Sequence, residues 1–186
     1  MSRDNLYFIA AIPHRQLQDK VRKIELDFAQ RFNSSRALKV MPHITLKAPF
    51  IIPPELHESL LKWFEDFKPA QRAFTIALNG FGAFPNNLHP VIFIKPVNHT
   101  ALSLLQHNLI QSFKGFAPFV IQPVDKKFVP HMTVAYRDLT PDHFEKAWAE
   151  YSHKAFEEQF EINAVHLLQH NGTQWNVIAS KPLATA

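Results

Sequence analysis

The strongest constraint on this chain is a five-residue phrase that occurs twice. Residues 42–46 read Pro42-His43-Ile44-Thr45-Leu46, and residues 130–134 read Pro130-His131-Met132-Thr133-Val134. Successive side chains of a strand point to opposite faces. As strands, the two phrases therefore place His43 with Thr45, and His131 with Thr133, on a polar face. Ile44, Leu46, Met132 and Val134 turn the other way, into a core. A proline before each histidine suits the start of a strand, where no ladder N–H is needed. One copy falls in each half of the 186 residues. Two halves related by a pseudo-two-fold axis would bring both strands to one cleft, with two imidazoles and two hydroxyls around a central space.

The pattern between the phrases predicts an α+β chain. Leu6–Ile12 is an apolar run ended by Pro13, a buried strand. Residues 14–32 carry Leu17, Val21, Ile24, Phe28 and Phe32 at helical spacing, and Asn33-Ser34-Ser35 breaks the helix. The first phrase runs as a strand from Met41 to about Phe50, and a second helix covers 54–67. Residues 72–79 alternate as a strand, Gly80–Asn87 is a loop, and Val91–Ile94 is a strand. A helix follows over 98–113, then a strand near Phe116–Ile121 and the second phrase from Phe128 to Tyr136. Thr140-Pro141 opens a helix, with Thr as cap and Pro at its first position. Phe156–Ile162, Ala164–Gln169 and Trp175–Ala179 are strands, the last two joined by the His170–Thr173 turn. The expected architecture is a single bilobal domain over 1–186. Its two pseudo-symmetric halves have mostly antiparallel sheets forming a central cleft, with helices packed outside.

Composition narrows the chemistry. The chain has no cysteine, which removes disulfides, thiol catalysis and Cys-ligated metals. A net charge of +4 suits an anionic ligand without itself indicating nucleic acid. No stretch approaches the ~20 apolar residues of a membrane span, and the N-terminus lacks a signal-peptide run. The expectation is a soluble, cytoplasmic protein with no membrane partner and no obligate protein partner. His166 and His170 share a face in a strand, but no third ligand is in register, so no metal site and no cofactor are predicted.

Two facing imidazoles divide general-base and general-acid duty. Phosphodiester transfer needs such a pair, because nucleophile and leaving group lie in line on opposite sides of phosphorus. Threonine hydroxyls can hold the non-bridging oxygens as charge builds on them. The paired Pro-His-x-Thr phrases, their separation and the Gly80–Phe84 stretch resemble the 2H phosphoesterase superfamily, in particular its 2′-5′ RNA ligase-like branch. That resemblance covers the chain from about Leu6 to the final hairpin. It implies a bilobal fold and metal-independent work on 2′,3′-cyclic phosphate ends of RNA, cyclic nucleotides or 2′-5′ linkages. It also implies that His43, Thr45, His131 and Thr133 are catalytic. A non-catalytic protein that binds RNA ends or nucleotides is the alternative.

Some relatives carry an Arg five positions after the second motif histidine. Here that position is Tyr136, and Arg137 comes one later. Strand parity puts Arg137 on the His131 face if the strand persists without a bulge, and puts Lys47 on the face of His43 and Thr45. Both are then candidate phosphate contacts. Phe84, Phe81 and Tyr136 are candidates for stacking on a base, with core packing the competing role for Phe81 and Phe84.

Overall fold

The structure is a computed structural model that describes residues 5–185. In chain order its strands and α-helices are β1 (Asn5–Ala11), α1 (Arg15–Phe32), β2 (Ile44–Ile52), α2 (His57–Asp66), β3 (Phe74–Phe84), β4 (Val91–Val97), α3 (Thr100–Phe116), α4 (Pro123–Lys126), β5 (Met132–Ala135), α5 (Pro141–Tyr151), β6 (Glu157–Ile162), β7 (Ala164–His170) and β8 (Trp175–Pro182).

Local sequence sets most of these boundaries. His14 caps α1 by accepting the Leu17 N–H, and Asn33 ends it in the left-handed region at φ 53°. The buried face of α1 is Leu17, Val21, Phe28 and Phe32, as the spacing predicts. Ile24 is only half-buried, and Glu25, ion-paired with Arg22, takes the enclosed position instead. Thr140 caps α5 through the His143 N–H, with Pro141 at the first position.

Two expectations fail for identifiable reasons, and one element is unexpected. The expected Gly80–Asn87 loop is largely strand. Gly80 adopts φ +62° where the β3–β4 register shifts, so the glycine is absorbed as a bulge and pairing resumes at Phe81–Ile94. Only the Pro85-Asn86-Asn87 portion turns, with Asn86 Oδ1 accepting the Leu88 and His89 N–H groups. The expected strand at Phe116–Ile121 is absent. Phe116 closes α3, and Pro118–Val120 forms a 3₁₀ turn, since Pro118 has no N–H to give a ladder. The short α4 has no counterpart among the expected elements, although Gln122 and Asp125 cap it reciprocally.

The strands form two four-stranded sheets, ordered β2-β1-β7-β8 and β5-β4-β3-β6, with every named neighbour antiparallel. The orders match position for position: each phrase leads into the edge strand of its sheet. The helices cross between halves. α1 packs on β5 and α5, while α3 packs on β2. Side chains from both sheets, among them Ile9, Ile44, Leu78, Ile94, Val134 and Leu167, join one buried cluster. Each such residue contributes about 1.5–3 kcal/mol when fully buried. The two edge strands are thereby held against each other by a shared core.

Candidate active site

β2 and β5 meet across the two halves and carry the phrases together. Ile44, Leu46, Met132 and Val134 are buried in the core, while His43, Thr45, His131 and Thr133 are half-buried on the opposite face. The alternation read from sequence holds through both phrases.

The imidazoles are fixed in the same way. His43 Nδ1 lies 2.7 Å from the Met41 carbonyl oxygen, and His131 Nδ1 lies 2.7 Å from the Val129 carbonyl oxygen. A carbonyl only accepts, so Nδ1 carries the proton and donates in both rings. That leaves each Nε2 with its lone pair free. In both copies the carbonyl two residues back lies against the ring, so the lock is built from local backbone. Burial pushes His43 down to about 4. The Met41 carbonyl opposes that shift, and charge on His131 adds to it. Burial also lowers His131, opposed by the Val129 carbonyl.

Aromatic rings back both histidines. The His43 ring lies 4.8 Å from Phe8 on β1. The His131 ring lies 5.2 Å from Phe84 and 5.4 Å from Phe93 on β4. Gly82 pairs with Phe93, and the Phe93 ring leans across it. A Cβ at Gly82 would stand 2.5 Å from Phe93 Cε2, so only glycine admits this ring.

A pocket of about 160 Å³ opens between the halves, lined by Thr45, Phe84, Asp125, Lys127, Phe128 and His131 among others. It places a hydroxyl of the first phrase and the imidazole of the second around one space. A larger hollow of about 400 Å³ lies over Trp63, Asp66, Asn108 and Ser112 on α2 and α3, and no residue of either phrase lines it.

The remaining sequence candidates divide. Phe84 stands beside His131 in the pocket wall. Phe81 is core, packed edge-on against Tyr151 and Phe156. Lys47 departs from strand parity. The β1–β2 register shifts on both sides of it, and the bulges turn it inward. Its ammonium is 0% exposed, 5.1 Å from the Phe50 ring and 2.9 Å from the Asp125 carboxylate. Burial lowers its pKa, and Asp125 pulls it back up. Asp125 also accepts the Ala48 and Gln122 N–H groups, at 3.2 and 2.8 Å. Lys47 is therefore committed to a buried pair under the pocket, which differs from the expected phosphate contact. Arg137 departs as well. β5 ends at Ala135, and Arg137 adopts φ 61° on the surface with its guanidinium over the Tyr136 ring. Neither Tyr136 nor Arg137 lines the pocket.

Sequence reading missed Asp125, Lys127, Phe8 and Phe93. The Gln122-Pro123-Val124-Asp125 capping pattern is a usable signal for a helix start there. The two phenylalanines give none, since β1 and β4 read simply as apolar runs. Among the described residues, no group of three or more His, Cys, Asp or Glu is placed to hold a metal ion. His166 and His170 instead engage Ser180 and the Gly172 N–H. No helix among the described residues is long and apolar enough to cross a membrane.

The chain and its fold are similar to those of known proteins. The profile of the 2′-5′ RNA ligase superfamily matches residues 13–174. A Bacillus cytotoxicus protein named as a candidate phosphoesterase is 31% identical over 170 residues, covering 91% of each chain. A Bacillus mycoides protein similarly named is 28% identical over 171 residues, with the same coverage. Among solved structures, TT0787 of Thermus thermophilus superposes with a TM-score of 0.67 at 18% identity, covering 97% of this chain and 98% of its own. Escherichia coli LigT complexed with 3′-AMP gives 0.64 at 15%, covering 97% and 99%.

Proposed function

This chain belongs to the 2′-5′ RNA ligase superfamily of 2H phosphoesterases, and from that premise we propose that it is a metal-independent phosphoesterase acting on 2′,3′-cyclic phosphate ends by two-histidine acid–base catalysis. The observation that carries the reading is the matched lock on His43 and His131, each Nδ1 held 2.7 Å from a backbone carbonyl. It keeps each Nε2 available for proton transfer. The nucleotide in the LigT complex is in keeping with a nucleotide substrate.

In hydrolysis, His43 is the base, because burial and the charge of a protonated His131 both hold it in the neutral form. Its Nε2 takes a proton as the water oxygen bonds to phosphorus. The P–O3′ bond breaks, and protonated His131 delivers its Nε2 proton to O3′. The product is a 2′-phosphate with a free 3′-hydroxyl. Thr45 and Thr133 donate hydrogen bonds to the non-bridging oxygens, whose charge is greatest in the transition state. An alcohol in place of water runs the same steps as ligation, and the reverse cleaves a 2′-5′ linkage.

The test is turnover of 2′,3′-cyclic nucleotides and of RNA ending in a cyclic phosphate, with chelator present. His43→Ala and His131→Ala should each lose about 10²–10⁴-fold, the scale of a positioned acid or base. Product should be the 2′-phosphate. Undiminished activity in the double variant overturns the mechanism. Ligand binding without turnover by folded wild type would favour the non-catalytic alternative.

A further inference from the structure

Phe8 is buried outside the main core. With Ala10 and Leu168 it forms a small separate cluster, against which Met41 and Trp175 pack half-buried. Strand alternation explains the separation. Tyr7, Ile9 and Ala11 fill the main core, so Phe8 and Ala10 face the other way, onto the side of the sheet that carries Thr45. On that face the rings form a row. Phe8 lies 4.8 Å from His43, Trp175 lies 4.6 Å from Phe8 at an interplanar angle of 79°, and His170 lies 5.1 Å from Trp175. The row starts at the imidazole assigned as base and crosses from β2 over β1 to the β7–β8 hairpin. Beside the other imidazole, Phe84 and Phe93 supply a second aromatic wall.

A base stacks on an aromatic ring without regard to its identity. The side of the phosphate nearest His43 is the side from which the nucleophile arrives. We propose that Trp175 forms the floor of an acceptor-nucleoside subsite. There a nucleoside stacks its base and presents its 5′-hydroxyl to His43, opposite a cyclic-phosphate nucleotide held at Phe84. The inference rests on the two-histidine reading and adds a positioning residue for the acceptor nucleoside of its ligation and cleavage steps. In the forward step the 5′-oxygen bonds to phosphorus and its proton passes to His43 Nε2. The P–O3′ bond breaks, and O3′ takes the proton of His131. A 2′-5′ diester results, and cleavage of that diester is the reverse.

The experiment compares adenylyl-2′-5′-adenosine cleavage with hydrolysis of adenosine 2′,3′-cyclic phosphate. Trp175→Ala should lower the ratio of the two kcat/KM values about tenfold, the scale of one lost stack, through KM for the dinucleotide. Trp175→Phe should restore most of it. Equal losses on both substrates, or an unchanged ratio, overturn the proposal. Adenosine alone gives a second readout in the His131→Ala background. Trp63 and Trp148 are packed on α2 and α5, away from the ring row. Adenosine should therefore quench fluorescence saturably, and Trp175→Phe should abolish the quench. A quench of the same size in that variant refutes the subsite. If wild type turns over neither substrate, the catalytic reading falls and the quench alone decides the subsite.

Discussion

Asp125→Asn is the perturbation that most directly probes how the pocket is held. Lys47 and Asp125 form a 2.9 Å pair with side-chain exposures of 0% and 1%. The Asp125 carboxylate also holds the Ala48 and Gln122 N–H groups, and Gln106 donates to the Asp125 carbonyl. The side chain thus ties β2 to α4, and the Asp125 carbonyl ties α4 to α3, beneath Thr45 and His131. Asparagine keeps the shape and one acceptor oxygen but leaves a buried ammonium without a counter-charge. Breaking one partner of a buried pair costs about 3–5 kcal/mol. For a chain of this size each kcal/mol shifts Tm by roughly 2–4 °C, so the variant should melt about 6–20 °C lower. Urea unfolding of wild type, Asp125→Asn, Lys47→Met and the double variant measures this as a cycle. Lys47→Met should cost less, because the carboxylate keeps two backbone donors. The double variant should recover at least half of the Asp125→Asn loss, since the stranded charge is gone. A single-variant cost under about 1 kcal/mol, or a double variant that loses the sum of both singles, would refute the account of the pair.

Three further outcomes follow from the site. The kcat/KM profile for a cyclic nucleotide, which reports the free enzyme, should peak on the acid side. Its acid limb should lie near pH 4, where His43 protonates, and its alkaline limb below 6.5, where His131 loses its proton; an alkaline limb above pH 7 would refute the assignment. Gly82→Ala should lower kcat through the displaced Phe93 ring behind His131, with a smaller change in KM. Its activity equal to wild type would show that Phe93 does not position the histidine. His43 should also contribute to acid unfolding. Its folded pKa lies below its unfolded value, so its stabilising contribution is complete above about 6.5 and is lost as pH falls toward about 4. His43→Gln should flatten stability over that window, and an unchanged slope in urea midpoints would count against the burial account.

The legible part of the site was the local part. His43, Thr45, His131 and Thr133 lie within two residues of each other in each copy, and a period of two fixes their common face whatever the strands pair with. The same logic fails at Lys47 and Arg137, where parity is carried past the point at which the strand stays regular. Two register shifts in β1–β2 turn Lys47 inward. The end of β5 at Ala135 and a left-handed backbone put Arg137 on the surface. A bulge reflects pairing with a distant strand, so it leaves little trace in its own residues. Gly80 shows the limit: as sequence it signals a loop, and β4 pairing makes it a bulge.

The amino-acid sequence by itself determined the doubled His–Thr strand, most helices with their buried faces, the Thr140 cap of α5, and the α+β class. Each of these depends on periodicity or on neighbours within one turn. Only the tertiary structure decided what surrounds the histidines: Phe8 from β1, Phe84 and Phe93 from β3 and β4, Trp175 from the last hairpin, and Asp125 beneath the pocket. Those contacts join residues far apart along the chain. They arise because the two sheets share one core, which presses their edge strands together and fixes what stands beside each imidazole.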